Sequence, residues 1–190
     1  MSGQNKEEDP LHSPLRVDDR LPLLFLPGTS SGVADQSFSR RRRPLIAFPR
    51  ASTLPDSEIP WVGLYQSLDL RMGRILDSLD RLSRGEPLRL PRVVPVIVSE
   101  RALTFYSQDP SEPGVKGGII LELPTLPASE IDCDLTVLRC EPWPEEGEPS
   151  AKSGFAVTGS WTGLEGEMRE SLLQYLVLRQ REILAFKGKS

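Results

Sequence analysis

The sequence has little of the chemistry that most catalytic and metal sites need. Its 190 residues include one histidine, His12, and two cysteines. A metal site combines several histidine, cysteine or carboxylate ligands at set spacings, and neither a histidine pair nor a Cys-x-x-Cys pattern occurs here. A nucleophile elbow, a Walker loop and a dinucleotide-binding fingerprint are also absent. The sequence therefore predicts a protein that is not an enzyme and that has no metal and no cofactor.

The chain also lacks long hydrophobic runs and a strong excess of one charge. No stretch reaches the roughly 18 apolar residues that a spanning helix needs, and residues 1–10 are too polar for a signal peptide. A net charge of −4 gives no general attraction to DNA or to anionic membranes. We therefore expect a cytoplasmic protein without DNA binding or membrane insertion. The local exception is one basic run, formed by Arg40, Arg41, Arg42 and Arg43.

The two cysteines are predicted to be free thiols. Cys133 and Cys140 are seven positions apart in what looks like one strand, so their side chains point to opposite faces. A disulfide between them is therefore disfavoured. Buried thiols in a reducing compartment are the expected state.

Residues 1–60 are predicted to form an N-terminal arm that is partly extended or flexible. They carry eight of the 18 prolines, which exclude regular helix through most of this region. Two short apolar pieces, residues 21–26 and 45–48, are each interpreted as an edge strand or as an extended arm lying on the core. The domain itself is predicted over residues 61–187.

Residues 64–84 are predicted to form a long helix with a heptad-like apolar stripe. The spacing of four, four, three, four and three residues is typical of a helix that packs along one narrow seam. Gly85 and Pro87 supply the stop signal. The periodicity leaves open whether the stripe packs on its own domain, on the C-terminal helix or on a partner chain. The stripe consists of Leu64, Leu68, Met72, Ile75, Leu79 and Leu82.

The remainder of the chain is predicted to be mainly β, ending in a helix. Short β-branched and aromatic runs separated by turn residues favour an antiparallel barrel or sandwich. Residues 163–186 have a wide apolar face and are predicted to form a helix that covers the core. The predicted strands are residues 92–98, 102–106, 119–123, 131–141 and 154–160.

Two stretches of this pattern carry a resemblance to a known family. Residues 96–105 read VIVSERALTF, and residues 154–184 take a phenylalanine-bearing strand into a helix containing LLQYLVLRQREIL. In this order, residues 62–186 resemble the PilZ family of bacterial cyclic di-GMP receptors, in particular its atypical, tetrameric branch. The resemblance implies a PilZ-like antiparallel β-barrel, with a long heptad-like helix before the main hairpin and a helix at the C-terminus. It also implies a homo-oligomer, a tetramer, assembled through the long helix.

The ligand motifs of that family are incomplete in this chain. PilZ domains grip cyclic di-GMP with an Arg-x-x-x-Arg arm and an Asp/Asn-x-Ser-x-x-Gly turn. Arginine suits both phosphates and flat purines, because it combines forked donors with a stacking plane. In the turn, Ser99 matches, whereas Ile97 and Ala102 stand where an Asp or Asn and a Gly are expected. No two arginines of the basic run are four residues apart. A divergent site would use Arg40, Arg41, Arg42, Arg43, Ser99 and Arg101, with Arg50 as a further candidate.

Three functional hypotheses follow. The leading one is a non-enzymatic signalling or adaptor protein of cyclic di-GMP pathways, with a degenerate ligand motif, that acts through protein partners. The alternative is a genuine cyclic di-GMP receptor with the divergent arginine site. A third, from another class, is a flavin-binding split-barrel oxidoreductase, which would purify yellow.

Overall fold

The computed structural model describes residues 14–28, 59–85, 90–125, 128–143 and 154–187. These stretches contain strands that form a sheet and two long helices. In chain order the elements are β1 (Arg16–Pro27), α1 (Ile59–Ser83), β2 (Arg92–Ser99), β3 (Ala102–Ser107), β4 (Lys116–Leu123), β5 (Ser129–Pro142), β6 (Phe155–Thr162) and α2 (Gly166–Lys187).

The strands close into one antiparallel barrel in the order β1-β2-β3-β6-β5-β4. β1 completes the closure, because its residues 16–23 pair with β2 and its residues 23–27 pair with β4. Leu23 is where the strand changes neighbour, since it lies opposite both Arg92 and Leu121. The predicted fold class is confirmed: an antiparallel β-barrel with a long helix before the main hairpin and a helix at its C-terminal end.

The barrel extends further towards the N-terminus than the sequence indicated. The predicted boundary near residue 61 placed β1 within the arm, whereas β1 is an integral barrel strand. Prolines at positions 22 and 27 obscure the strand in the sequence, although the buried residues Val17, Leu21 and Leu23 lie at even spacings, as one face of a strand requires. The second apolar piece of the predicted arm, residues 45–48, lies outside the described residues.

The interior of the barrel follows from the two-residue period of its strands. Along β5, Ile131, Cys133, Leu135 and Val137 are buried and point inwards, while the residues between them are half-exposed. The alternation is interrupted at a register shift between Val137 and Arg139. Both cysteines lie on β5 as free thiols, as predicted.

Helix α2 covers the core. Leu172, Tyr175 and Leu176 are buried and belong to the same apolar cluster as the inward-facing strand residues. A polar contact holds the helix to β1, because Asp19 accepts a hydrogen bond from the Tyr175 hydroxyl at 2.8 Å and pairs with Arg179 at 2.9 Å. The helix begins at Gly166 instead of residue 163, since β6 continues as far as Thr162.

Helix α1 begins and ends at recognisable signals. It starts at Ile59, ahead of the predicted residue 64, because Pro60 fits the first turn of a helix, where no backbone donor is needed. It ends at Ser83, and Gly85 follows with a φ of 72°, a left-handed conformation that glycine adopts without strain. Within the described stretches, neither α1 nor α2 has the length and apolar character needed to cross a membrane.

Candidate functional site

One face of α1 carries an exposed apolar stripe. Its members recur at alternating intervals of four and three residues, which are the a and d positions of a heptad. Each is between 46% and 62% exposed, although these are the large side chains that usually form a core. We call this surface the outer stripe. It consists of Trp61, Tyr65, Leu68, Met72, Ile75, Leu79 and Leu82.

The residues predicted for oligomerisation lie on or beside this surface. Leu68, Met72, Ile75, Leu79 and Leu82 belong to the outer stripe, and Leu64 flanks it, as does the exposed Leu76. Sequence reasoning missed Trp61 and Tyr65, because it began the helix after Trp61 and chose Leu64 as the first apolar position. Seven-residue steps back from Leu68 and Met72 were the signal that would have identified them.

The inner face of α1, which lies against the barrel, is mostly small and polar, with the half-buried Leu70 between Ser67 and Arg74. Gly63 and Ser67 are buried one turn apart, and their small size lets the helix approach the segment before β5. The Ser67 hydroxyl donates to the Gly63 carbonyl at 2.8 Å and accepts from the Ala128 amide at 2.9 Å. One hydroxyl therefore joins the helix to the barrel.

Further along the same face, Arg74 joins α1 to two strands. One guanidinium nitrogen binds Glu122 on β4, and the other binds Glu130 on β5. The two carboxylates lie directly opposite each other in the ladder between these strands. Like charges in that position repel, so the arginine between them supplies the compensating charge. All three side chains are less than one-third exposed.

The two faces of α1 therefore have inverted roles. None of its described large apolar side chains belongs to the barrel core, and hydrogen bonds and ion pairs connect its inner face to the barrel. Of the packing arrangements that the periodicity left open, neither packing on the barrel nor packing on α2 buries the stripe in the described part of the chain. Exposed apolar surface of this extent is typical of an interaction site.

The second candidate site is the turn between β2 and β3, where the sequence placed the ligand-binding serine. Ser99 is fully buried. Its hydroxyl accepts a hydrogen bond from the Ala102 amide at 3.0 Å and donates to the Ala102 carbonyl at 2.9 Å. The serine thus closes its own turn, which is a common local use of this side chain.

The same turn is fixed to neighbouring elements. The Trp161 indole donates to the Ser99 carbonyl at 3.1 Å, and Arg169 of α2 pairs with Glu100 at 2.6 Å. Arg101 is exposed at the tip of the turn. Ser99 and Arg101 therefore lie in the same turn, but the Ser99 side chain is buried and the Arg101 side chain is exposed. Arg40, Arg41, Arg42, Arg43 and Arg50 lie outside the described residues.

The described residues offer no obvious site for a metal ion or for thiol chemistry. No group of three or more histidine, cysteine or acidic side chains within them is placed to hold a metal. Burial, together with the neighbouring charges of Asp132 and Asp134, raises the pKa of the Cys133 thiol from 9.0 to about 12. A thiol that remains protonated is a poor nucleophile, so Cys133 acts as a core residue.

Comparison with known proteins shows a structural likeness but no match in sequence. No protein-family model matches the chain, and no curated protein matches it by sequence. Among solved structures, the chain is similar to a pathogenic protein from Xanthomonas campestris, described as a new tetrameric PilZ domain self-assembled via an unusual helical bundle. The two share 20% sequence identity over 90% of this chain and 88% of the other, with a TM-score of 0.42.

Proposed function

We propose that this chain is a non-enzymatic signalling or adaptor protein that assembles with copies of itself through the outer stripe of α1. The observation that carries the proposal is the inverted orientation of α1. A helix whose polar face meets its own barrel and whose heptad face meets solvent is shaped to pack against another such helix. Two or more copies of the chain can cover one another's apolar stripes, because each chain presents the same surface.

The size of the stripe supports a stable assembly. From Trp61 to Leu82 it runs about 30 Å along the helix. Fully burying a large apolar side chain contributes about 1.5–3 kcal/mol relative to leaving it exposed, and because the stripe residues are about half exposed, each can contribute about half of that. Several such side chains per chain offset the loss of translational and rotational freedom, which costs about 4–15 kcal/mol on association.

The pathway and the number of copies come from the family resemblance. We propose a role in bacterial cyclic di-GMP signalling, in the cytoplasm, with protein partners as the output and four copies in the assembly. The degenerate turn supports an adaptor role, since the Ser99 hydroxyl already forms two hydrogen bonds with the backbone of Ala102. A fold by itself does not determine a function, so both parts of the proposal need an experiment.

The assembly is tested by placing charges on the stripe. We expect Ile75→Asp combined with Leu79→Asp to convert the oligomer into a monomer, because desolvating four or more carboxylates in one bundle is strongly unfavourable. The mass is measured by light scattering after size-exclusion chromatography. Both positions are more than half exposed within the chain, so the circular dichroism spectrum of the barrel should not change.

A matched control charges two exposed apolar residues of the barrel. Val93→Asp combined with Leu138→Asp removes apolar surface of comparable exposure without touching α1. We expect this variant to keep the mass of the unaltered protein. A monomeric unaltered protein, or an oligomer that survives the charges on the stripe, would contradict the proposal.

The role of the ligand is tested separately by calorimetric titration with cyclic di-GMP. The adaptor proposal predicts no binding heat for the full chain. Binding would instead favour the receptor hypothesis, in which Arg40, Arg41, Arg42, Arg43, Ser99 and Arg101 form the site. In that case Arg101→Ala and Arg42→Ala combined with Arg43→Ala should each weaken the affinity, and unchanged affinities in all of them would exclude the arginine site.

A further inference from the structure

Polar side chains connect α1 to the barrel. They include Ser67, which is hydrogen-bonded to Ala128, and Arg74, which forms two ion pairs. We infer that Arg74 is a latch that fixes the angle at which α1, and with it the outer stripe, projects from the barrel. The consequence for the arrangement of barrels in an assembly depends on the proposed function, whereas the latch itself does not.

The chemistry of the latch explains why an arginine is needed at this position. Glu122 and Glu130 face each other across β4 and β5 at the end of their ladder. A guanidinium has forked donors and can bind one carboxylate with each arm, which the single ammonium of a lysine does less well. The arginine also cancels the repulsion between the two carboxylates. The barrel edge and the helix therefore stabilise each other through one side chain.

The latch is partly withdrawn from water. The Arg74 side chain is 18% exposed, and the glutamates are 29% and 23% exposed. Ion pairs that are partly withdrawn from water are screened less by salt than exposed ones. By contrast, an isolated hydrogen bond such as that of Ser67 makes only a small net contribution to stability.

The latch is also separable from the folding of the barrel. No described large apolar side chain of α1 enters the core, so the helix can leave the barrel surface without opening it. Loss of Arg74 should therefore free the helix while the barrel remains intact. In an assembly, the outer stripes would still hold the copies together, but the barrels would no longer have one fixed orientation around the bundle.

The experiment measures the distance between α1 and the barrel within one chain. Spin labels are attached at Ser83→Cys on α1 and Lys116→Cys on β4, two exposed positions, in full-length chains whose native cysteines are replaced by alanine. Labelled chains are diluted into an excess of unlabelled protein, so that pulsed electron resonance records distances within a single chain. The latched protein should give one narrow distance distribution.

Three variants test the assignment. We expect Arg74→Gln to shift and broaden the distribution, because it removes the charge that joins the helix to both strands. Arg71→Gln is the matched control, since Arg71 is an exposed arginine on the same helix without an ion pair to Glu122 or Glu130. Arg74→Glu combined with Glu122→Arg should restore the narrow distribution, because an arginine again lies between two carboxylates and all charges are retained.

The outcomes separate the latch from the proposed function. A narrow, unshifted distribution in Arg74→Gln would overturn the latch, and so would a broad one that the charge swap fails to narrow. Neither result depends on assembly, because the distance is measured within one chain. If the protein is a monomer, the proposed function is overturned, but the distance experiment still tests the latch. If both proposals hold, Arg74→Gln keeps the mass of the oligomer while its distance distribution broadens.

Discussion

The two long helices of this protein have similar lengths and opposite relations to the barrel. α1 has 25 residues and α2 has 22, and both carry apolar residues at helical spacing. In α2 these residues are buried, with Leu172 and Leu176 fully inaccessible. In α1 the outer stripe remains exposed. The comparison shows that apolar periodicity identifies a face that must be covered, but not which molecule covers it.

Polar contacts also have different roles in the two helices. In α2, the hydroxyl of Tyr175 and the guanidinium of Arg179 both contact Asp19, next to side chains that are buried in the core. In α1, Ser67 and Arg74 contact the barrel, but no described side chain of the helix belongs to the core. We therefore expect α2 to be part of the folding unit of the barrel and α1 to be an attached element.

The largest expected effect tests this distinction with two leucine deletions. Leu176→Ala in α2 should lower the free energy of unfolding by about 2–5 kcal/mol, because it leaves a cavity in the core. Leu82→Ala in α1 should leave it almost unchanged, since Leu82 is 56% exposed. Both are measured by urea denaturation in chains that also carry Ile75→Asp and Leu79→Asp, so that assembly does not contribute. Equal losses in the two variants would show that α1 belongs to the folding unit.

A smaller effect is expected from removing one hydroxyl from each helix. Tyr175→Phe should cost about 1.5–3 kcal/mol, since it removes the hydrogen bond to the Asp19 carboxylate but leaves Arg179 in place. Tyr65→Phe, on the outer stripe, should cost nothing measurable in the unfolding of the barrel. Thermal denaturation in the same charged background provides the measurement. A Tyr175→Phe variant as stable as its parent would show that Asp19 is held by Arg179 alone.

The smallest effect on stability at neutral pH is expected from the Cys133 thiol in the barrel interior. Because the pKa of Cys133 is raised to about 12 in the fold, the thiol should resist alkylation at pH 8 until the barrel unfolds, while the half-buried Cys140 reacts first. In the unfolded chain the thiol ionises near 9.0. Its contribution to stability is therefore complete below pH 9 and is lost progressively as the pH rises towards 12. Mass spectrometry of the alkylated peptides checks the order of reaction, and simultaneous labelling of both cysteines in the native state would contradict it.

The fold was largely predictable from local patterns. Alternation and β-branched runs predicted the strands after residue 90, and apolar periodicity predicted both helices. β1 was harder to assign, because Pro22 interrupts its pattern and because its partners on β2 and β4 are distant in the sequence. The start of α2 was placed too early for a related reason: the pairing of β6 with β5 extends the strand to Thr162.

The candidate site was only partly predictable. The heptad spacing predicted most of the outer stripe, since residues on one face of a helix are only three or four positions apart in the sequence. The inner face was not predictable, because Arg74 meets Glu122 and Glu130 across separations of 48 and 56 residues. The motif around Ser99 located a turn correctly, but nothing in the motif indicated that its hydroxyl closes that turn through Ala102.

The sequence by itself determined the elements of this protein: where strands alternate, where a helix ends at Gly85, and which side of α1 is apolar. These properties depend on neighbours in the chain, so they can be deduced from the order of residues. Only the tertiary structure decided that β1 closes the barrel and that α1 presents its polar side to it. Those outcomes depend on which distant groups meet, here one arginine and two opposed carboxylates, and on the rule that buried charges must be compensated.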